Sequence, residues 1–202
     1  MGSVKHLIYL AVVSFVVSCS VFQQGYYNEY NQYLPKRESY KLKDKVGLQI
    51  PQTLDLSNIY SLKEKYYRGR QYYPIDPFAE NPDFNPMHNI EQFIRFSENG
   101  RCYSFSKKKF DEHNNLLPLE ESHLSTKNAH YLKEYYYQHN FGIQIESFVP
   151  KEGSGEYLYK YCKILENGNK MRLSYDLSDP TSYDIYELVV LPNQYDRPVI
   201  DW

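Results

Sequence analysis

The sequence predicts an all-β fold in which about eight antiparallel strands follow one another as a meander. Three observations support this prediction. The chain of 202 residues contains 23 Tyr, and Tyr favours strands. Two Asn-Gly dipeptides lie between alternating apolar and polar residues, which is the pattern of a tight β-hairpin. No long stretch repeats its apolar residues at the 3.6-residue period of a helix.

The first hairpin is predicted around Asn99-Gly100, within residues 93–106. Both central residues of a type I′ turn need a positive φ, which Asn and Gly tolerate. Pairing across this turn places Glu98 opposite Arg101. The pairs expected on the apolar face are Phe96 with Tyr103 and Ile94 with Phe105. Cys102 then falls on the polar face, so the hairpin is expected to cover a core on one side only.

The second hairpin is predicted around Asn167-Gly168, within residues 161–174. The pairs expected on its apolar face are Ile164 with Met171 and Cys162 with Leu173. Lys163 and Arg172 then share the other face, where water screens their repulsion. Both hairpins have a Glu-Asn-Gly tip, which indicates either a duplicated β unit or, as we favour, convergence on a stable turn.

Further strands are predicted at residues 45–50, 132–138, 143–149, 156–161 and 183–191, with Gly and Pro turns between them. Residues 57–73 are compatible with a helix or with strands. Two long loops are expected at residues 74–89 and 107–130. Together these elements predict a curved sheet or a small lipocalin-like barrel.

The N-terminus has the anatomy of an export signal. A short start with the single cation Lys5 leads into the apolar residues 7–17, which are too few to span a bilayer. The segment Val16-Val17-Ser18-Cys19 resembles the lipobox of bacterial lipoproteins, although Val16 stands where Leu is commoner. This resemblance implies that residues 1–18 are removed and that Cys19 carries a diacylglyceryl anchor.

Two other interpretations of the N-terminus stay open: a buried N-terminal element with an incidental cysteine, and an ordinary cleaved signal. On the lipoprotein interpretation, residues 19–45 form the lipidated Cys19 and a flexible tether, and residues 46–202 form a single β domain. Ser20 is not the Asp that retains lipoproteins at the inner membrane, and acidic residues are missing directly after Cys19. The resemblance therefore implies the outer membrane, with its periplasmic leaflet slightly favoured over the cell surface.

Composition and charge exclude several function classes. Lys plus Arg total 23 against 25 for Asp plus Glu, so there is no basic excess for nucleic-acid binding. No phosphate-binding loop, dinucleotide fingerprint or nucleophile motif is present. The histidines lack the spacing of a metal site. We therefore predict no enzyme activity, no cofactor and no metal. A Cys102–Cys162 disulfide is possible in an exported protein, but the predicted faces of the two hairpins argue against it.

Tyrosines form the remaining candidate site. Exposed Tyr offers a large contact area at low entropic cost and suits a protein interface or a sugar ring. The tentative partner-binding or ligand-binding residues are Tyr66, Tyr67, Tyr72 and Tyr73, beside the proline-rich loop. The alternative is that most Tyr side chains pack on the sheet and that an AT-rich genome raises their number.

The composition, the lipobox and the hairpins together resemble the small lipoproteins of Bacteroidota. This resemblance implies a membrane address and no active site. We expect a membrane-anchored, non-enzymatic interaction module with a protein partner in the cell envelope, as an accessory of an outer-membrane complex. The alternative is a ligand-binding β-barrel lipoprotein that holds an apolar molecule or a glycan. A closed barrel with an internal cavity of roughly 300 Å³ or more lined by aromatic residues would favour the alternative. A filled interior with an exposed apolar patch of several hundred Å² would favour the interaction module.

Overall fold

The computed structural model describes residues 25–29, 33–36, 38–45, 53–73, 89–125, 127, 132–139, 142–151, 154–195 and 200. Its strands are β1 (Gly25–Tyr27), β2 (Tyr33–Pro35), β3 (Ile59–Tyr67), β4 (Arg70–Tyr73), β5 (Ile90–Phe96), β6 (Arg101–Lys108), β7 (Leu132–His139), β8 (Gly142–Lys151), β9 (Ser154–Leu165), β10 (Lys170–Ser174) and β11 (Tyr183–Val189). Short 3-10 helices lie at Lys43–Lys45, Glu121–Leu124 and Glu166–Gly168. The predicted signal sequence, Cys19 and nearly all of the proline-rich loop lie outside the described residues.

Eight antiparallel strands close into a barrel. From β5 to β11 each strand pairs with the next along the chain, β5 pairs with β3, and β11 returns to pair with β3. Strand β4 adds to the free end of β3 as a hairpin. The all-β meander is thus confirmed, and of the two predicted forms the chain adopts the lipocalin-like barrel. A barrel of eight strands is just wide enough to be filled by side chains or to hold one small ligand.

The predicted register of the second hairpin is confirmed. Met171 pairs with Ile164 and Leu173 pairs with Cys162. Glu166, Asn167 and Gly168 have φ values of 48°, 54° and 100°, so the turn between Leu165 and Lys170 has three residues at positive φ instead of the two of the expected type I′ turn. A side chain at Gly168 would also collide with the backbone oxygen of Thr53, 2.4 Å from the position of a Cβ atom. This turn therefore needs glycine for its conformation and for its close contact.

The predicted register of the first hairpin is wrong by one residue. Phe96 pairs with Cys102 and Phe93 pairs with Phe105, because the turn has three residues instead of two. The Ser97 amide donates to the Arg101 oxygen at 2.9 Å, and Gly100 has a φ of 74°, which is typical of a three-residue hairpin. A slip of one residue exchanges the two faces of a strand. Phe96 and Ile94 consequently face the barrel interior, whereas Tyr103 and Phe105 face outward.

The same one-residue shift places Cys102 on the inward face of β6, and not on the polar face that was predicted for it. Cys102 lies in the interior cluster that also contains Cys162, so the two do not lie on different faces as predicted. Both are buried free thiols.

Other predictions from the sequence match the structure at the level of elements. The segments predicted at residues 132–138, 143–149, 156–161 and 183–191 correspond to β7, β8, β9 and β11. The ambiguous segment 57–73 forms the hairpin of β3 and β4. Of the strand predicted at residues 45–50, only Lys45 is described, and it belongs to a 3-10 helix. The loop predicted at residues 107–130 contains a short 3-10 helix and an isolated bridge between Phe110 and Leu116.

The outer face of β7, β8 and β9 is covered by the chain's own N-terminal segment. Tyr40 and Leu42 are 4% and 2% exposed. The Leu42 amide donates to the Glu146 carboxylate at 2.7 Å, and the Tyr40 ring packs on Tyr135 with 4.7 Å between centroids. We predicted a flexible tether up to residue 45. Residues 38–42 are instead docked on the barrel, because their apolar side chains meet an aromatic outer face.

A second cluster covers the outer face of β3, β5 and β6. Its buried members are Ile59, Phe93, Tyr103, Phe105, Leu124, Leu191 and Ile200. The loop after β6 and the C-terminal residues supply the covering side chains, and the Tyr195 hydroxyl donates to the Leu119 oxygen at 2.7 Å. Because the N-terminal segment, the loop after β6 and the C-terminal residues pack on these outer faces, many aromatic residues that point away from the lumen are still buried.

Candidate functional site

The barrel interior is divided between two chemically different ends. At the closed end, where β5 meets β6 and β9 meets β10, the interior is filled by buried apolar side chains. They are Leu54, Tyr60, Leu62, Ile94, Phe96, Cys102, Tyr136, Ile143, Ile145, Cys162, Met171, Leu173 and Tyr186. The Tyr60 hydroxyl donates to the Gly168 oxygen at 3.0 Å and accepts from the Asp55 amide at 3.1 Å. The β9–β10 turn and residues 53–55 thereby close this end.

The open end holds a cavity of about 290 Å³. Its wall combines cationic, polar and apolar side chains from strands all around the barrel. The main lining side chains are Lys65, Gln92, Ser104, Ser106, Leu132, Val149, Leu158, Lys160, Tyr175 and Tyr186. A concave, mixed wall of this kind is typical of a small-molecule site, and the volume lies at the small end of the range for such sites.

Glu134 anchors one side of the cavity wall. This carboxylate is fully buried, and it accepts hydrogen bonds from Ser147 Oγ at 2.5 Å and from Ser104 Oγ at 2.8 Å. Lys160 Nζ forms an ion pair with the same carboxylate. A buried charge is tolerated only when it is paired and hydrogen-bonded, and Glu134 meets both conditions through β6, β8 and β9.

Asp184 and Lys65 form the opposite side. Asp184 Oδ2 accepts a hydrogen bond from the Tyr175 hydroxyl at 3.0 Å and lies 3.8 Å from Lys65 Nζ. The two side chains are 5% and 11% exposed. Burial raises the pKa of the Asp184 carboxyl, and Lys65 and Tyr175 offset that rise only in part.

Burial also sets the chemistry of the interior thiols. It raises the pKa of Cys162 to about 12 and the pKa of Cys102 well above its ordinary value. The thiolate is the reactive form of cysteine. Both side chains therefore stay protonated at neutral pH and act as small apolar groups of the core.

The mouth of the barrel is rimmed by exposed apolar side chains. Tyr67, Tyr175 and Leu177 are 57%, 52% and 53% exposed. The β3–β4 turn is fixed to the loop before β11, because the Gly69 amide donates to the Thr181 oxygen at 2.9 Å and the Arg68 amide to Ser182 Oγ at 2.9 Å. The β3–β4 turn and the loop before β11 are thus joined to each other, and together they form one side of the barrel mouth.

Two of the tyrosines predicted as a site, Tyr66 and Tyr67, lie on this side of the mouth and outside the cavity wall. Tyr66 stacks on Tyr183 with 4.6 Å between ring centroids, and its hydroxyl donates to Glu64 at 2.6 Å. Tyr67 is 57% exposed, and the Arg68 guanidinium lies over its ring at 5.2 Å from the centroid. Tyr72 and Tyr73 belong to β4, but their side chains lie outside the described residues, as does Cys19. The binding role of these residues stays a prediction.

Sequence reasoning missed the four buried charges of the lumen, Lys65, Glu134, Lys160 and Asp184. A signal was present in the strands. In β9 the inward positions Leu158, Lys160 and Cys162 alternate with outward ones, so a charge stands in an otherwise apolar series. Such a signal becomes visible only after the register of every strand is known.

Within the described part of the chain, no three His, Cys, Asp or Glu side chains come together in a way that could hold a metal ion. The described residues also include no helix that is long and apolar enough to cross a membrane. No family model, curated protein or solved structure matches this chain.

Proposed function

We propose that this protein binds a small molecule in the open end of its barrel. The observation that carries the proposal is the cavity of about 290 Å³ with buried lysines in its wall. A barrel built only for stability would fill this space with apolar side chains, because buried charges cost free energy that packed apolar groups do not. Of the two functions expected from the sequence, the structure therefore favours the ligand-binding barrel.

The interaction module has less support from the surface. It would need an exposed apolar patch of several hundred Å², but two outer faces of the barrel are already covered by the chain's own segments. Several of the many tyrosines, such as Tyr40, Tyr103 and Tyr135, are buried on these faces and are 4%, 0% and 1% exposed. They stabilise the barrel instead of offering a surface to a partner.

The proposal includes the location expected from the sequence. A diacylglyceryl group on Cys19 would hold the barrel at the bacterial outer membrane, since several acyl chains on one residue make release negligible. Mass spectrometry of the chain isolated from membranes tests this part. An N-terminal diacylated Cys19 is the expected result, and an unmodified Cys19 would contradict it.

A titration with the neutral fluorophore N-phenyl-1-naphthylamine tests the binding function without assuming a charge on the ligand. The full chain should give a saturable fluorescence increase with one site per chain. Ser106→Trp, which fills the cavity from β6, should abolish that increase. Lys63→Trp adds the same group at an exposed position of β3 and should leave it unchanged. Absence of saturable binding, or equal binding in both variants, would contradict a lumen site.

A further inference from the structure

The charges in the lumen are not arranged symmetrically around the cavity. Both lysines, Lys65 and Lys160, line the cavity, whereas neither Glu134 nor Asp184 is part of its wall. The carboxylates lie behind the lysines, with the Glu134 side chain fully buried and the Asp184 side chain 5% exposed. A molecule that enters the cavity therefore meets positive charge first.

The two lysines differ in how completely they are paired. Lys160 forms a close ion pair with Glu134, and two serine hydroxyls complete the contacts of that carboxylate. Lys65 Nζ lies 3.8 Å from Asp184, which is beyond the 2.7–3.2 Å range of a good N–H···O hydrogen bond. Among the described residues, Asp184 is the one anionic partner of Lys65 within 4 Å.

An ammonium group has three donors. Lys65 therefore has hydrogen-bonding capacity left in a site that is almost closed to solvent, since its side chain is 11% exposed. In a site with so little solvent exposure, a hydrogen bond from Lys65 to a close charged acceptor is stronger than in water. An anionic oxygen placed in the cavity would supply that acceptor.

The remainder of the wall is suited to a short apolar body. Leu132, Val149 and Leu158 lie on neighbouring strands and line the cavity together with the ring of Tyr186. Gln92, Ser104 and Ser106 add neutral polar groups on the side of β5 and β6. The site thus combines one charged end with one apolar side.

We propose that the ligand is a small organic carboxylate, with its anionic group bound to Lys65 and its apolar body against Leu132, Val149 and Leu158. This inference rests on the proposed binding function and adds the chemical class of the ligand. The small volume favours a molecule with a short chain or a single ring over a full-length lipid.

Calorimetric titration of the full chain with octanoate, octanol and octylammonium tests the inference, because these probes share a chain length and differ in the charge of one end. Octanoate should bind at least tenfold more tightly than either of the others. Lys65→Met keeps the length of the side chain and removes its charge, and it should weaken octanoate binding roughly tenfold to hundredfold, as expected for a hydrogen bond to a charged group. The affinity for octanol should not change.

Two further variants control for folding and for nonspecific charge. Lys65→Met/Asp184→Asn removes both members of the loose pair, leaves no orphaned charge, and should lose octanoate affinity like the single variant. Lys63→Met removes an exposed lysine of the same strand and should bind octanoate as the parent does. Thermal unfolding of each variant shows that the barrel is intact.

Octanol or octylammonium binding as tightly as octanoate would overturn the carboxylate inference, and so would unchanged octanoate affinity in the folded Lys65 variants. In those cases the binding function still stands if the neutral fluorophore saturates one site that Ser106→Trp removes. If neither the fluorophore nor any of the three probes binds, both proposals fail.

Discussion

The two ends of the barrel interior are built from the same strands but have different chemistry. Glu134 and Tyr136 are successive inward residues of β7. Glu134 is hydrogen-bonded at the open end, whereas Tyr136 belongs to the apolar core of the closed end. Along β9, Lys160 and Cys162 show the same change. The closed end is filled by apolar side chains, whereas four buried charged residues, Lys65, Glu134, Lys160 and Asp184, line or back the open end.

On the proposed function, the closed end stabilises the fold and the open end binds the ligand. Apolar packing at the closed end supplies free energy of folding. At the open end the cavity and the buried charges reduce the free energy of folding. Desolvating charges costs free energy, whereas packing apolar groups gains it. The four predictions below test this division, starting with the largest expected effect.

Removing a large side chain at the closed end should cause the largest loss of stability. Phe96 is fully buried, and Phe96→Ala should lower the free energy of unfolding by about 4 kcal/mol, because it removes apolar contacts and leaves a cavity. Urea unfolding measures this change. Ser106→Ala at the open end is the matched control and should change stability by less than about 0.5 kcal/mol. Equal effects at both ends would contradict the division.

Breaking the ion pair of the open end should cause the next largest loss. Lys160→Met leaves the fully buried Glu134 without its cation, and the expected destabilisation is about 3 kcal/mol. Glu134→Gln in the same chain removes the orphaned charge, so the double variant should recover most of that loss in the same urea measurement. If the double variant is as unstable as Lys160→Met, the charge of Glu134 is not the cause.

Octanoate binding should become tighter as the pH falls. The groups that face Asp184 are Lys65 of β3, Lys160 of β9, Tyr175 after β10 and Tyr186 of β11. Burial raises the pKa of Asp184, and an added anion raises it further, so binding is coupled to proton uptake there. In titrations from about pH 8 down to pH 5.5, the octanoate affinity should rise as the pH falls, by at most about tenfold per pH unit.

The matched control for this pH dependence is Asp184→Asn. That variant cannot take up the proton and should bind octanoate with nearly constant affinity over the same range. Affinity that falls with falling pH, or a slope that Asp184→Asn leaves unchanged, would contradict the coupling.

The smallest effect is expected at the tyrosines singled out from the sequence. Tyr67 is 57% exposed at the rim, outside the cavity wall. Tyr67→Ala should change the stability by less than about 0.5 kcal/mol and the octanoate affinity by less than about threefold, in the unfolding and calorimetric measurements above. A tenfold loss of affinity would move the binding site from the lumen to the rim.

Much of the fold could be predicted because local turn chemistry determined it. Asn167-Gly168 predicted the register of β9 and β10 correctly, although Glu166 adopts a positive φ together with these two residues. The Asn99-Gly100 pair did not, because there the chain forms a three-residue turn with only Gly100 at positive φ. The two turns share Glu-Asn-Gly but differ in the residues on either side, which are Ser97 and Arg101 in the first and Leu165 and Asn169 in the second.

The candidate site could not be predicted, because it depends on which strands become neighbours. Glu134 is separated from Ser104 and Lys160 by 30 and 26 residues, and only the order β6-β7-β8-β9 brings them together. The excess of tyrosine drew attention to possible surfaces. Tyr33, Tyr40 and Tyr157 instead belong to one aromatic cluster on the outer face, which local sequence patterns do not reveal.

The location of the bound ligand tests the central claim most directly. Nuclear Overhauser effects between octanoate and the methyl groups of the full chain report which side chains the ligand contacts. The account predicts contacts with Leu132, Val149 and Leu158 at the open end and none with Ile143 or Leu173 at the closed end. Contacts with outer-face residues such as Leu119 and Leu191, without any to the three lumen residues, would contradict it.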